Sequence, residues 1–93
     1  MDIKKIAGQN KGDIMIYALS TCGWCKRTKQ FFNDLGIAYQ FTDVDLLNPK
    51  DQEIAVQEIK KWNPACSFPT TVINNKACIV GYNVDKIKEA LRL

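Results

Sequence analysis

The chain's hydrophobic positions come in short blocks with two alternating periods, separated by Gly, Asn and Pro. Asp13–Leu19 is almost unbrokenly apolar and partly β-branched, and follows the turn-forming cluster Gly8–Gly12; it predicts a buried strand. The period then lengthens. Trp24, Thr28, Phe31/Phe32 and Leu35 recur on one helical face, so a helix is predicted over Lys26–Leu35, with Gly36 as its C′ residue. Ala38–Asp45 alternates as a second strand. Asn48-Pro49 reads as an N-cap and first helical position, opening a helix over about Lys50–Trp62. Its apolar face is Ala55, Ile59 and Trp62, flanked by Ile54 and Val56, and Asn63-Pro64 stops it. After the loop Ala65–Pro69, strand Thr70–Ile73 and return strand Ala77–Val80 flank a tight Asn74-Asn75 turn, since Asn tolerates positive φ. Gly81 ends the hairpin, and Asn83 caps a last helix whose apolar side is Val84, Ile87, Ala90 and Leu91.

The predicted order is β-α-β-α-β-β-α. Its first β-α-β unit implies a parallel pair with a right-handed crossover, and its last two strands must be antiparallel. Ile3-Lys4-Lys5-Ile6 reads as a short extra strand or a turn of helix. Residues 1–12 are therefore taken as an N-terminal extension open to fraying, and residues 13–93 as the domain. There is no internal repeat, low-complexity tract or linker.

Composition narrows the function. Ninety-three residues suffice for one core, and 46% hydrophobic with 25% charged residues is an ordinary globular balance. No apolar run has the length of a membrane span and no leader pattern is visible, which points to a cytoplasmic protein without membrane contact. The net charge of +3 is mild and spread along the chain, so nothing argues for nucleic acid. Histidine is absent, which excludes an imidazole base or a His metal ligand. Four cysteines in such a chain point to redox, metal or packing roles rather than a disulfide framework.

Cys22-Gly23-Trp24-Cys25 lies where the first strand gives way to the first helix. First-turn N–H groups lack intrahelical partners and the helix dipole is positive there, so both favour a thiolate on Cys22, with Lys26 and Arg27 one turn on. The spacing puts Cys25 one turn after Cys22, close enough to attack a mixed disulfide on its neighbour. Trp24 reads as a hydrophobic platform at the rim of such a site. Cys66 reads as a half-buried apolar residue, the alternative being a third exchanging thiol; Cys78, mid-strand, reads as buried packing. Eleven intervening residues separate Cys66 from Cys78, unlike the close pairs of a four-cysteine zinc site, so no metal is expected.

From Asp13 to Leu93 the chain resembles a glutaredoxin-type member of the thioredoxin superfamily. Three features in order carry the likeness: the Cys-x-x-Cys after the first strand, Phe68-Pro69-Thr70 opening the third, and Val80-Gly81-Tyr82 before the last helix. The resemblance implies an α/β thioredoxin-like fold with a four-stranded mixed sheet and helices on both faces. It also implies thiol–disulfide oxidoreductase and electron-carrier activity, with Cys22 as nucleophile and Cys25 as resolving thiol. Pro69 would be a cis-proline presenting the Phe68 backbone to an extended substrate, and Trp24, Lys26, Arg27, Gly81 and Tyr82 complete the expected substrate surface.

The implied partners of a monomer are disulfide-containing proteins, with a disulfide reductase or glutathione as electron donor; no cofactor is expected beyond the redox-active disulfide itself, with glutathione as the one candidate. Departures from the family pattern matter. The strand before the motif holds no acid, Gly23 replaces a common proline, Leu19 stands where glutaredoxins usually carry lysine, and Val84 where they carry an aspartate for the glutathione amino group. Val80-Gly81 likewise replaces a Gly-Gly pair. Gly81–Ile87 instead resembles redoxins that reduce ribonucleotide reductase and take electrons from a flavin reductase. The alternatives are a glutathione-dependent glutaredoxin, or a module holding an iron–sulfur cluster with glutathione thiols.

Overall fold

The computed structural model describes all 93 residues. In chain order the elements are β1 (Lys4–Ile6), β2 (Ile14–Ala18), α1 (Gly23–Leu35) and β3 (Tyr39–Asp43); then a 3-10 turn (Val44–Leu46) and α2 (Pro49–Trp62); and finally β4 (Thr70–Ile73), β5 (Ala77–Val80) and α3 (Val84–Leu91). One mixed sheet runs β1-β3-β2-β4-β5. Strands β2 and β3 are parallel, and the other neighbouring pairs are antiparallel. No helix is long and apolar enough to cross a membrane.

Alternation along β2 divides the core in two. Ile14, Ile16 and Ala18 face Phe32 and Cys25 of α1 and Ile87 and Leu91 of α3, in the larger cluster. On the other side Ala55 and Ile59 of α2 meet Val44 and Leu47, with Tyr17, Leu19, Cys66 and Phe68 packed against them. Helix boundaries follow the expected caps. Gly36 takes the left-handed conformation (φ 65°) and donates back into the last turn. The side chains of Asn48 and Asn83 accept the Asp51 and Lys86 amides at 2.9 and 3.1 Å. Asn74 and Asn75 both have positive φ, as a tight hairpin turn requires.

The sheet has five strands, not four. Lys4–Ile6 pairs antiparallel with β3 in the register Lys4 to Phe41 and Ile6 to Tyr39, and half-buried Ile6 packs on the larger core. The segment after it is tied as well: Gln9 donates to the Gly36 carbonyl at 2.7 Å and accepts from the Ala38 amide at 2.9 Å. Three further expectations shift. The buried stripe of α1 runs through Cys25, Thr28 and Phe32, which leaves Trp24 and Leu35, 58% and 48% exposed, outside it. Thr28 is tolerated inside because its hydroxyl donates to the Trp24 carbonyl at 2.9 Å. The strand over 38–45 gives way at Val44 to the 3-10 turn, and Cys78 on edge strand β5 is half-buried rather than enclosed.

Candidate active site

The cysteine pair sits at the C-terminal end of the parallel strands, where the chain turns from β2 into α1. Cys22 is the N-cap of α1: its backbone is extended and its Sγ accepts the Cys25 amide at 3.2 Å. No acid lies in the first turn, so helix dipole and amide both face that sulfur unopposed. Cys22 is half-buried and Cys25 is wholly buried beneath it; all four cysteines are free thiols. Burial, reinforced by the hydrogen bond with Cys22, pushes the Cys25 thiol up to about 12. The two sulfurs are therefore unequal: one reachable at the helix start, the other protonated and enclosed.

Around them the structure assembles most of the expected surface. The Phe68–Pro69 bond is cis, as the resemblance implies. Pro69 is buried, and its carbonyl accepts the Gly81 amide at 2.8 Å, which joins the two loops flanking the cysteines. The Phe68 N–H and C=O take part in none of the backbone hydrogen bonds outside the regular elements, leaving a donor and an acceptor free for an added strand. Trp24 stacks on Tyr82 with ring centroids 5.9 Å apart and 22° between planes, and the Arg27 guanidinium lies 5.1 Å over the Trp24 ring. Lys26 is exposed, its amide continuing α1 to the Cys22 carbonyl. Gly81 has φ 75°, which favours glycine there. The site is a stacked aromatic platform with a hollow of about 310 Å³ beside it, lined by Arg27, Phe31 and Tyr82 among others. The largest hollow, about 610 Å³, lies by Lys5, Asp13 and Gln40, away from the cysteines.

Other residues organise this surface without a sequence signal of their own. Asp45, in the 3-10 turn, accepts both the hydroxyl and the amide of Ser20 and so pins the loop before Cys22; those bonds hold its carboxyl below the usual carboxylate range. Buried Asn63, legible only as half of a helix-stopping Asn-Pro pair, donates to Ser67 Oγ and Thr70 Oγ1 at 2.9 and 3.1 Å, supporting the loop that carries Phe68. Cys66 takes φ 52° in that loop and packs half-buried on the smaller core, as the apolar reading of it expects. Leu19 also packs on that core.

Comparison with known proteins agrees with this geometry. The glutaredoxin family model matches residues 14–78. The crystal structure of the glutaredoxin from Methanosarcina mazei Go1 is 42% identical, with a TM-score of 0.91 over 98% of this chain and 88% of that one. Methanosarcina acetivorans methanoredoxin is also 42% identical, with a TM-score of 0.88 over 92% and 90% of the two chains. Glutaredoxin 1 of Rickettsia bellii (strain RML369-C) is 31% identical over 77 residues, 78% of this chain and 76% of that protein. The fold and the sequence likeness therefore point the same way, and the chain belongs to the glutaredoxin family, whose general activity is thiol–disulfide exchange.

Proposed function

We propose that the protein is an electron carrier that reduces protein disulfides through its Cys22/Cys25 dithiol. The observation that carries this reading is the inequality of the two sulfurs: Cys22 caps α1 with an amide aimed at it, while Cys25 is buried and held as a thiol. Cys22 attacks a substrate disulfide, forms a mixed disulfide and releases one substrate thiol. Cys25 then attacks Cys22 Sγ, closing the internal disulfide and releasing the second thiol, so the substrate gains two electrons and the pair loses two. Substrate chain lies along Phe68–Pro69 as an added strand, against the Trp24–Tyr82 platform, with Lys26, Arg27 and Gly81 at its margins. The exposed Trp24–Tyr82 stack offers apolar area to a macromolecular disulfide.

The test is disulfide turnover together with trapping. Cys22→Ser should abolish reduction of a protein disulfide, and Cys25→Ser should accumulate a mixed disulfide on Cys22 visible by mass spectrometry. Full turnover in Cys22→Ser would refute the assignment.

A further inference from the structure

The apolar face of α1 is wider than the core it covers. Beside the buried stripe of Cys25, Thr28 and Phe32, the side chains of Trp24, Phe31 and Leu35 recur at i, i+7 and i+11 and stay wholly or partly exposed. This second stripe borders a seam between α1 and α3. The hollow of about 310 Å³ beside the Trp24–Tyr82 stack lies in that seam, bounded by Arg27, Phe31, Asp34 and Leu35 of α1 and by Tyr82 and Lys88 across from them. A further hollow of about 360 Å³ shares Leu35 and Lys88 and carries the seam on to Lys11, Ile37 and Leu93. Of the nine exposed large hydrophobic side chains, four lie along this one strip: Trp24, Leu35, Tyr82 and Leu93. Exposed apolar residues scattered singly are ordinary, whereas a contiguous strip leading from a reactive centre marks an interaction surface. Its charge is one-sided. The ion pairs join Met1 to Asp51, Lys29 to Asp43 and Lys61 to Glu58, so Lys11, Arg27 and Lys88 have no carboxylate partner. Asp34, the one acidic side chain of the strip, accepts a hydrogen bond from Gln30 Nε2 at 2.6 Å. Unpaired cations around an apolar floor complement an apolar segment that carries carboxylates and repel a basic one.

We propose that the α1–α3 seam is a docking surface for the protein whose disulfide is reduced, and that its occupant is a short acidic amphipathic helix of that partner, outside the partner's reactive cystine. This rests on the disulfide-reductase reading above and specifies its substrate class. From Trp24 to Leu35, α1 rises about 16 Å at 1.5 Å per residue, room for three turns of a helix laid alongside. Apolar residues three or four apart on that helix seat on Phe31, Leu35 and Tyr82, and its carboxylates meet Arg27, Lys88 and Lys11. The strip starts at Trp24, next to Cys25 in the chain, so a helix docked on it brings its attached cystine to Cys22. Such docking is the same before and during the exchange. It lowers the substrate concentration required and leaves the limiting rate alone.

The experiment follows single-turnover reduction of synthetic peptides by the pre-reduced full chain, two electrons passing from the Cys22/Cys25 dithiol to the peptide's cystine. Each peptide joins the same small cystine loop to one of three tails: a Leu/Glu amphipathic helix, the same helix with Lys for Glu, or the Leu/Glu composition scrambled out of helical period. All three should share one limiting rate. Half-saturation should come at about fivefold or more lower concentration for the Leu/Glu helix, the worth of one or two surface ion pairs. Lys88→Glu should reverse the preference between the Glu and Lys tails, and Leu35→Asp should cost the Leu/Glu helix its advantage. Both variants should reduce bis(2-hydroxyethyl) disulfide, a small neutral substrate, at the parent rate. Lys60→Glu, the same charge change at an exposed position on α2, should leave the preference as it is. Equal half-saturation for the Glu and Lys tails would overturn the proposal, as would an equal effect of Lys88→Glu and Lys60→Glu. So would a scrambled tail as good as the helix, the mark of an extended acidic occupant, or a dimer in sedimentation that Leu35→Asp dissolves, the mark of a second copy in the seam. Failure of the parent protein to reduce any of these disulfides would instead overturn the two-cysteine reading, and the docking surface with it.

Discussion

Enclosure of Cys25 has a consequence for stability as well as for chemistry. A thiol raised from 9.0 in the open chain to about 12 in the fold keeps its proton longer when folded than when unfolded. Folding stability from this group is complete below about pH 9 and is lost as pH rises toward 12, because the unfolded chain binds fewer protons there. Reduced wild-type protein should therefore lose its urea-denaturation advantage over Cys25→Ser as pH climbs through that window. A gap between the two that stays constant with pH would show that burial does not perturb the thiol. The remaining cysteines lie outside this coupling. Cys66 faces the smaller core and Cys78 an edge strand, its thiol raised by burial alone. Both should tolerate serine with little change in disulfide turnover, and a loss in Cys66→Ser would promote that residue to a resolving role.

Elements differ in how plainly their sequences announce them. The N-terminal segment depends on one close approach: a Cβ at Gly8 would meet the Gly36 carbonyl oxygen at 2.6 Å and the Ala38 amide nitrogen at 2.7 Å, both unyielding backbone. Gly8→Ala should thus loosen β1 and cost roughly 1–3 kcal/mol of stability in urea titration, the usual range for overpacking. Disulfide turnover should survive, since β1 lies at the opposite edge of the sheet from β4, β5 and Pro69; a proportionate loss would show that the two edges are coupled. The same segment shows why an edge strand escapes sequence reading. Lys4-Lys5-Ile6 offers one apolar contact and no period, and its pairing is decided by a partner more than thirty residues away. Helix limits were legible because caps are local: Gly36, Asn48 and Asn83 each satisfy groups within a few residues. The cysteine pair and the cis-proline were legible from motif and order. Asp45 and Asn63 were not, since each matters through a neighbour brought close by folding, 25 residues on for Asp45 with Ser20.

At the scale of the whole molecule, the electron donor is decided by which charges the surface offers. Glutathione presents two carboxylates and one ammonium, and charge-assisted hydrogen bonds carry most recognition of such groups. At the position where the family usually has lysine, Leu19 is folded against the smaller core with Cys66 and Phe68 and offers no charge. Val84, at the aspartate position, begins α3 half-buried. Its neighbour Asp85 could substitute only if the helix began elsewhere, and the Asn83 cap on the Lys86 amide at 3.1 Å fixes that start. Arg27 lies over the Trp24 ring, so Lys26 and the backbone near Phe68 and Gly81 are left to hold one end of the tripeptide. Hydrogen bonds to charged groups contribute about 1.5–3 kcal/mol each, and losing two weakens binding by about a hundredfold or more. We therefore expect slow reduction of the Cys22–Cys25 disulfide by glutathione, and faster reduction by a small dithiol or a protein reductase, at equal thiol concentration. The double variant Leu19→Lys/Val84→Asp should raise the glutathione rate by about tenfold or more and leave the dithiol rate unchanged. If wild-type protein already prefers glutathione, or the double variant gains nothing, then Leu19 and Val84 do not set the donor and recognition resides in the backbone around Phe68 and Gly81.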